Sequence, residues 1–216
     1  MMRLHAYFRS STSYRVRIAL NLKALDYEVV PVNLPDGEQR GAEFRALNVY
    51  GGVPALEADG RLYAQSLAII EWLDERFPDR PLLPRDVEDR FVARELASAI
   101  ATELHAPLNL SVLKYLKHEL GHRQDEIDTW YRHWIGRTLE AVEARLAQRG
   151  SGDFLFDAPG LFEAVLIPQI YNARRFSFDL SAMPRIRRIE EACLLLAQFR
   201  AAHPDSQPDA PEIARA

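Results

Sequence analysis

The chain has 216 residues, of which 48% are hydrophobic and 27% charged, and it carries a net charge of −4. These values are typical of a soluble globular protein with one or two domains. The mild acidity argues against sequence-independent binding of nucleic acid, and no apolar run reaches the roughly 18–20 residues of a membrane span. The single cysteine, Cys193, excludes a disulfide framework. Because the first residues also lack an apolar signal core, we expect a cytoplasmic protein without nucleic-acid or membrane partners.

The first residues predict a strand, a helix and a second strand. Leu4, Ala6 and Phe8 alternate with period two, as on a half-buried strand. A polar cluster at residues 10–13 then opens a helical pattern. Residues 27–32 predict the second strand, which Pro31 places at a sheet edge or strand end.

The following segment predicts a β-hairpin between two helices. Residues 43–47 form a short helical turn, and Asp59-Gly60 between two apolar runs is a strong hairpin signal. Ser66 is predicted to cap the next helix. The predicted order is β-α-β-α-β-β-α, with a parallel pair and a hairpin in one sheet covered by helices.

A proline-rich linker divides the chain. Pro78, Pro81 and Pro84 lie too close together for a helix. We therefore predict one domain over residues 1–82 and a second over residues 86–216.

The second part shows helical patterns only. We predict a helix that continues or kinks through Pro107 to about Leu120, and a long amphipathic helix that ends near Gly150. A buried helix with a kink at Pro168 and a last helix that starts at Pro184 follow. From residue 203 the tail is polar, as in a surface strap or a disordered segment.

Two strand-to-helix corners carry polar residues that suit an anion. Hydroxyls and free amides at residues 10–13 could hold an anion or a thiolate with help from the helix dipole, and Gln65-Ser66 forms a similar corner. On position alone, a simple helix cap is the favoured interpretation of both patterns. Arg9 and the pair at 174–175 fit surface charge equally well.

The sequence also contains the zinc-protease pattern H-E-x-x-H at residues 118–122. On one helix it would place His118 and His122 on a shared face, but Gly121 is typical of a helix end. A third ligand would have to come from Glu140 or Glu143 in the next helix. We therefore expect no metal site.

Several segments together resemble the zeta-class glutathione transferases, the maleylacetoacetate isomerases. The most specific is Phe8-Arg9-Ser10-Ser11-Thr12-Ser13-Tyr14-Arg15-Val16-Arg17-Ile18-Ala19-Leu20. Further matches follow in order along nearly the whole chain: Ala46-Leu47-Asn48, Val53-Pro54-Ala55-Leu56, Gln65-Ser66-Leu67-Ala68-Ile69-Ile70-Glu71, Asn109-Leu110-Ser111, Pro168-Gln169, Asn172-Ala173-Arg174-Arg175-Phe176 and His203-Pro204.

The resemblance implies a glutathione transferase fold, with a thioredoxin-like α/β N-terminal domain, an all-helical C-terminal domain and a homodimer. It implies glutathione as cofactor and a set of residues that bind it: Ser10, Ser11, Thr12, Gln39, Val53, Pro54, Gln65, Ser66, His105, Asn109 and Ser111. It also implies four catalytic residues: Ser11, Thr12, Arg9 and Arg175.

The implied roles follow the parts of glutathione. Residues 10–12 would face its sulfur, Val53 before a cis Pro54 its peptide backbone, and Gln65 and Ser66 its γ-glutamyl end. Arg9 and Arg175 would pair with the carboxylates of a small diacid substrate.

The implied reaction is the cis–trans isomerisation of maleylacetoacetate to fumarylacetoacetate in aromatic amino-acid breakdown. A thiolate that adds to the conjugated double bond and then leaves allows rotation, and a hydrogen bond from Ser11 would lower the thiol pKa. Maleylpyruvate, a closely related cis acid, is the alternative substrate and fits nearly as well. A general glutathione transferase, a non-catalytic scaffold of the same fold and a zinc peptidase are the other functions considered.

Three departures from the family pattern affect these expectations. Thr12 stands where Cys or Ala is usual, and Gly51-Gly52 stands where Pro and Gln are more frequent, which predicts a looser loop. Gly160 replaces a capping threonine before the buried helix, which predicts a small loss of stability.

Overall fold

The computed structural model describes residues 1–150 and 152–211. Its contacts divide the chain into two compact units. The first unit groups Met1–Leu83 with the described residues from Leu194 on, and the second comprises Pro84–Cys193. The domain bounds of 1–82 and 86–216 remain a prediction, while the contacts group the segment after Cys193 with the first 83 residues.

The first unit follows the predicted order of strands and helices. Its elements are β1 (Met2–Ala6), α1 (Ser11–Leu22), β2 (Tyr27–Pro31), α2 (Ala42–Leu47), β3 (Ala55–Ala58), β4 (Arg61–Ala64) and α3 (Ser66–Arg76). The sheet order is β2-β1-β3-β4, with β1 and β2 parallel and the other pairs antiparallel. The prediction of a parallel pair and a hairpin in one sheet is therefore confirmed.

Local chemistry explains the edge and the hairpin of this sheet. Pro31 pairs with Ala6 in the edge strand β2, where a missing amide hydrogen is tolerated. Asp59 and Gly60, with φ values of 51° and 74°, form the two-residue turn between β3 and β4. Positive φ at both positions matches the twist that an antiparallel hairpin requires.

The second unit is helical throughout its regular elements. It contains α4 (Val87–Ala99), α5 (Leu110–His118), α6 (Gln124–Arg149), α7 (Leu161–Arg175) and most of α8 (Pro184–Leu195). The predicted helix end at Gly150, which has a φ of 77°, and the predicted helix start at Pro184 are confirmed. Contrary to the prediction, the helix at Pro184 is not the last one, because another helix spans Ala197–Ala202. Across the described part of the chain, no helix combines the length and apolar character needed to cross a membrane.

The long helix predicted through Pro107 is interrupted. A single π-helical turn occupies Ile100–His105, and α5 starts only at Leu110. Pro107 has no amide hydrogen to continue the helical ladder, and the turn before α5 separates the two helices.

The start of α7 is stabilised by a buried acid in place of the absent capping hydroxyl. The Glu163 Oε1 accepts a hydrogen bond from the Leu155 amide at 2.7 Å, and Oε2 accepts one from the Gly160 amide at 2.8 Å. Burial raises the pKa of Glu163, while these two amides lower it. Glu163 therefore supplies one half of a capping box, and Gly160, which has no side chain, cannot supply the other half.

The segment after α8 packs on the first unit. Helix α9 (Ala197–Ala202) contacts α1, and the Ala202 carbonyl accepts a hydrogen bond from Arg17 Nε at 2.9 Å. The Phe8 amide donates to Asp209 Oδ2 at 2.8 Å. The tail is a strap on the surface of this unit as far as residue 211, and residues 212–216 lie outside the described part.

Candidate functional site

The N-terminus of α1 offers hydrogen-bond donors and no competing acid. Ser10 is the N-cap, and its Oγ accepts a hydrogen bond from the Ser13 amide at 3.2 Å. Ser11 is the first helical residue and is largely buried. The first turn contains no acidic residue. The helix dipole and the first amides therefore favour an anion at this corner.

Thr12 joins this corner to the loop before β3. Its hydroxyl donates to the Val53 carbonyl at 2.9 Å, and its oxygen lies 3.0 Å from Ser10 Oγ. Since the Thr12 hydrogen is directed at Val53, Ser10 is the donor between the two hydroxyls. The Val53–Pro54 peptide bond is cis, as the resemblance implies. Thr12 thus holds the loop in place, and its hydrogen is not available to a thiolate.

The N-terminus of α3 forms the second corner. The prediction that Ser66 caps this helix is wrong by one residue, because Gln65 is the N-cap and Ser66 the first helical residue. Gln65 has a φ of 71°, a strained backbone region for a residue with a Cβ atom. Ser66 Oγ accepts a hydrogen bond from Arg15 Nη1 at 3.3 Å. No acidic residue lies in the first turn.

Gln39 and the loop at residues 48–52 form a neighbouring part of the first unit. Gln39 is buried, and its Oε1 has no hydrogen-bond partner in the described structure. Gly51 and Gly52 predicted a loose loop, but the structure shows a loop that is held by hydrogen bonds. The Asn48 side chain accepts from the Tyr50 amide at 3.2 Å and donates to the Gly52 carbonyl at 2.8 Å. A Cβ atom on Gly51 would lie 3.1 Å from the Gln39 carbonyl oxygen.

Three of the predicted binding residues lie in the second unit. His105 ends the π-helical turn, and its Nδ1 lies 3.2 Å from Gln169 Nε2. Asn109 is the N-cap of α5, and its Oδ1 accepts from the Ser111 amide and from Ser111 Oγ, both at 3.0 Å. The structure gives Asn109 and Ser111 a capping role.

The two neighbouring arginines at the end of α7 have different environments. Arg174 forms a two-pronged pair with the buried carboxylate of Glu190. Arg175 is exposed, and its Nη1 donates to Asn172 Oδ1 at 3.3 Å. Burial raises the pKa of the nearby Tyr131 to about 12, against an opposing effect of the Arg175 charge. Of these two arginines, only Arg175 presents its guanidinium to solvent without a carboxylate partner in the described structure.

Arg9, in the first unit, resembles Arg175 in its exposure to solvent. It is exposed, and its guanidinium carbon lies 5.4 Å from the centre of the Phe8 ring. The planar group is therefore supported on an aromatic ring beside the start of α1, a suitable position for pairing with a carboxylate.

The zinc-protease pattern does not form a two-histidine helical face. Helix α5 ends at His118, and Gly121 has a φ of 71°. Glu143, one candidate third ligand, accepts hydrogen bonds from the Arg185 and Ile186 amides at the start of α8. Within residues 1–150 and 152–211, no three potential metal ligands are grouped.

In the first unit, hydrogen bonds gather the predicted residues around the N-terminal half of α1. Thr12 donates to the Val53 carbonyl, and Arg15 donates to Ser66 Oγ. Sequence reasoning missed Arg15 itself. The signal was its position four residues before the apolar Ala19, because positions four apart share one face of a helix.

Comparison with known proteins identifies relatives over nearly the whole chain. A family model described as glutathione S-transferase, N-terminal domain, matches residues 9–76. The maleylacetoacetate isomerase of Pseudomonas aeruginosa is 45% identical, over 97% of this chain and 99% of its own length.

Two solved structures extend the comparison. One is a holo maleylpyruvate isomerase described as a bacterial zeta-class glutathione S-transferase, with a TM-score of 0.94, 41% identity and coverage of 97% and 100% of the two chains. The other is a maleylacetoacetate isomerase of Methylobacterium extorquens with bound malonate and GSH, with a TM-score of 0.93, 36% identity and coverage of 97% and 99%. Since a curated relative at 45% identity spans nearly the whole chain, this protein belongs to the zeta-class glutathione S-transferases, the family of the maleylacetoacetate isomerases.

Proposed function

We propose that the protein is a glutathione-dependent isomerase that converts maleylacetoacetate to fumarylacetoacetate in aromatic amino-acid breakdown. The observation that carries the proposal is the pair of acid-free helix starts, α1 and α3, held together around α1 by the Thr12 and Arg15 hydrogen bonds. One corner suits a thiolate and the other a carboxylate. Two of the three relatives reported above are named maleylacetoacetate isomerases.

The residues present fit glutathione. The peptide has a thiol, amide groups and carboxylates, and the first unit offers a donor-rich helix start at Ser11 and a second one at Ser66. Gln39 adds a buried Oε1 without a hydrogen-bond partner among the described residues, which suits an N–H donor of a ligand. When bound, glutathione supplies a thiol nucleophile that adds reversibly to the substrate double bond.

The chain's own residues have separate tasks in this reaction. Ser11 donates to the sulfur and, with the α1 dipole, stabilises the thiolate over the thiol. Thr12 fixes the Val53 carbonyl, and Gln65 and Ser66 hold the γ-glutamyl end. Arg9 and Arg175 pair with the carboxylates of the diacid and stabilise negative charge that develops on the substrate oxygen.

Maleylpyruvate is the second candidate substrate, because the structure with a TM-score of 0.94 belongs to a maleylpyruvate isomerase. Both acids should be offered to the purified protein with glutathione while the absorbance of the cis enol is followed. We expect rapid conversion of one acid that depends on glutathione. Conversion of neither acid, with glutathione bound, would indicate a general transferase or a scaffold, and absence of glutathione binding would contradict the proposal as a whole.

We also infer a cytoplasmic homodimer. Large apolar side chains are exposed in both units, among them Val49 at 82%, Tyr50 at 70% and Phe91 at 62% of their full surface. A second copy of the chain would remove such surface from water. Light scattering after size exclusion should give twice the chain mass of 24.7 kDa, and a monomer at micromolar concentration would contradict the inference.

Replacing Thr12 with valine should separate its structural contribution from a catalytic one. Valine has the same shape but leaves the Val53 carbonyl without the bond at 2.9 Å. We expect the free energy of unfolding to fall by about 1 kcal/mol, the usual net contribution of one hydrogen bond. The pKa of bound glutathione should stay unchanged, since Thr12 directs its hydrogen away from the sulfur.

Urea unfolding and titration of the thiolate absorbance would measure these two effects. Thr12→Ser keeps the hydroxyl and serves as the control. A thiol pKa in Thr12→Val that rises as far as in Ser11→Ala would show that Thr12 donates to the sulfur after all.

A further inference from the structure

Arg15 is a buried cation without a counter-charge in the described structure. Its side chain is 1% exposed, and both Nε and Nη2 are buried without a hydrogen-bond partner among the described residues. Its one hydrogen bond runs from Nη1 to Ser66 Oγ at 3.3 Å. Burial lowers the pKa of Arg15 to about 10, so the group is still charged at neutral pH.

The other buried cations of the same unit are compensated. Arg17 donates to the backbone carbonyls of Ala202 and Phe8, each at 2.9 Å. Lys23 pairs with Asp74 at 3.2 Å and donates to the Arg80 carbonyl at 2.7 Å. A buried charge without such partners is unfavourable, so the exception at Arg15 indicates a group that arrives from outside the chain.

The contact with Ser66 shows where that group would bind. A guanidinium can only donate, so Ser66 Oγ is the acceptor and keeps its own hydrogen for another acceptor. Ser66 begins α3, an 11-residue helix whose first amides have no partner within the helix. A hydroxyl hydrogen, free amides and a positive charge behind them together suit a carboxylate.

We propose that Arg15 is a positioning residue of the glutathione site. It holds the Ser66 hydroxyl with its hydrogen directed at the ligand, and it supplies the positive charge that a carboxylate bound at the start of α3 neutralises. This inference rests on the proposed binding of glutathione at Gln65 and Ser66. Arg15 acts through Ser66 and takes no part in the bond changes of the substrate.

Two peptides and two variants test the proposal. The peptides are glutathione and the same tripeptide with 4-aminobutyrate in place of the γ-glutamyl residue, which lacks the α-carboxylate. In Arg15→Gln we expect the Kd of glutathione to rise by about tenfold or more, as for loss of one close charge partner, while the Kd of the second peptide changes little. Arg15→Lys keeps the charge and should give a Kd for glutathione between those of the unaltered protein and Arg15→Gln.

The melting temperature of the ligand-free protein distinguishes a positioning residue from a purely structural one. Since Arg15→Gln removes a buried charge without a partner, the ligand-free variant should melt at the same or a higher temperature than the unaltered protein. The rise in melting temperature on addition of glutathione should be smaller in the variant. Lower stability without ligand, together with equal weakening of both peptides, would show that Arg15 is structural and would overturn the proposal.

The unaltered protein allows a test that does not depend on how the variants fold. The Nε–H resonance of Arg15 should shift on addition of glutathione and stay in place with the peptide that lacks the α-carboxylate. An unmoved resonance at saturating glutathione would overturn the role of Arg15 while leaving glutathione binding intact. If the unaltered protein binds neither peptide, the proposed function itself is wrong.

Discussion

Ser11→Ala should lower kcat/KM for the isomerisation by about 100-fold. This is the effect expected when one hydrogen-bond donor to an anion in an active site, here the glutathione thiolate, is removed. Ser11 is the first residue of α1, at a helix start without acidic residues. A hydrogen bond to the charged form of an acid favours that form, so its loss should raise the pKa of bound glutathione. A smaller fraction of the thiol is then ionised at neutral pH, and the nucleophile is correspondingly weaker. Titration of the thiolate absorbance in the binary complex measures the pKa directly.

Ser13→Ala is the matched control for this variant. Ser13 lies two residues further along α1, and its buried Oγ has no hydrogen-bond partner in the described structure. Removal of that hydroxyl should leave both the thiol pKa and the turnover unchanged. An unchanged pKa in Ser11→Ala would exclude Ser11 as the donor to the sulfur.

Arg175→Ala should lower kcat/KM for the diacid by about 100-fold, because a charge-assisted pair with one carboxylate is lost. The loss should appear as a higher KM for the diacid, while the KM for glutathione stays near its original value. Arg175→Lys should recover part of the activity, because it restores the charge but not the planar fork. Steady-state kinetics with each substrate varied in turn would separate the two KM values.

Arg187→Ala controls for the loss of a surface arginine in the same unit. Arg187 pairs with Glu191 at 3.8 Å on the exposed side of α8, an interaction of small energetic effect. Its kinetics should match those of the unaltered protein. Equal increases of both KM values in Arg175→Ala would contradict a specific role in diacid binding.

The order of strands and helices in the first unit could be predicted because its signals are local. The alternation at Leu4, Ala6 and Phe8, the Asp59-Gly60 turn and the restriction imposed by Pro31 each act over a few residues. The π-helical turn at Ile100–His105 could not be predicted in this way. Its hydrogen bonds differ from those of an α-helix by one residue, and hydrophobic periodicity does not resolve that difference.

The candidate site could be predicted only as a set of residue types. The family resemblance implied Thr12 and Ser66 as ligand contacts, but not that Thr12 donates to a carbonyl 41 residues away or that Ser66 accepts from a buried arginine. Such bonds depend on how α1 packs against the loop before β3 and against α3. The sequence pattern of one segment does not identify the hydrogen-bond partner that a hydroxyl in that segment has in a distant segment.

The attachment of the last described residues to the first unit also has a consequence for the order of synthesis. Arg17 finds its carbonyl partner 185 residues later at Ala202, and the Phe8 amide finds Asp209 after 201 residues. A ribosome therefore releases the whole four-stranded sheet long before α9 can cover α1. Until then the Arg17 Nε–H and the Phe8 amide donate to other acceptors, water among them. The unit that is made first is thus completed last, and residues 1–83 expressed alone would present the uncovered face of α1 to chaperones and proteases.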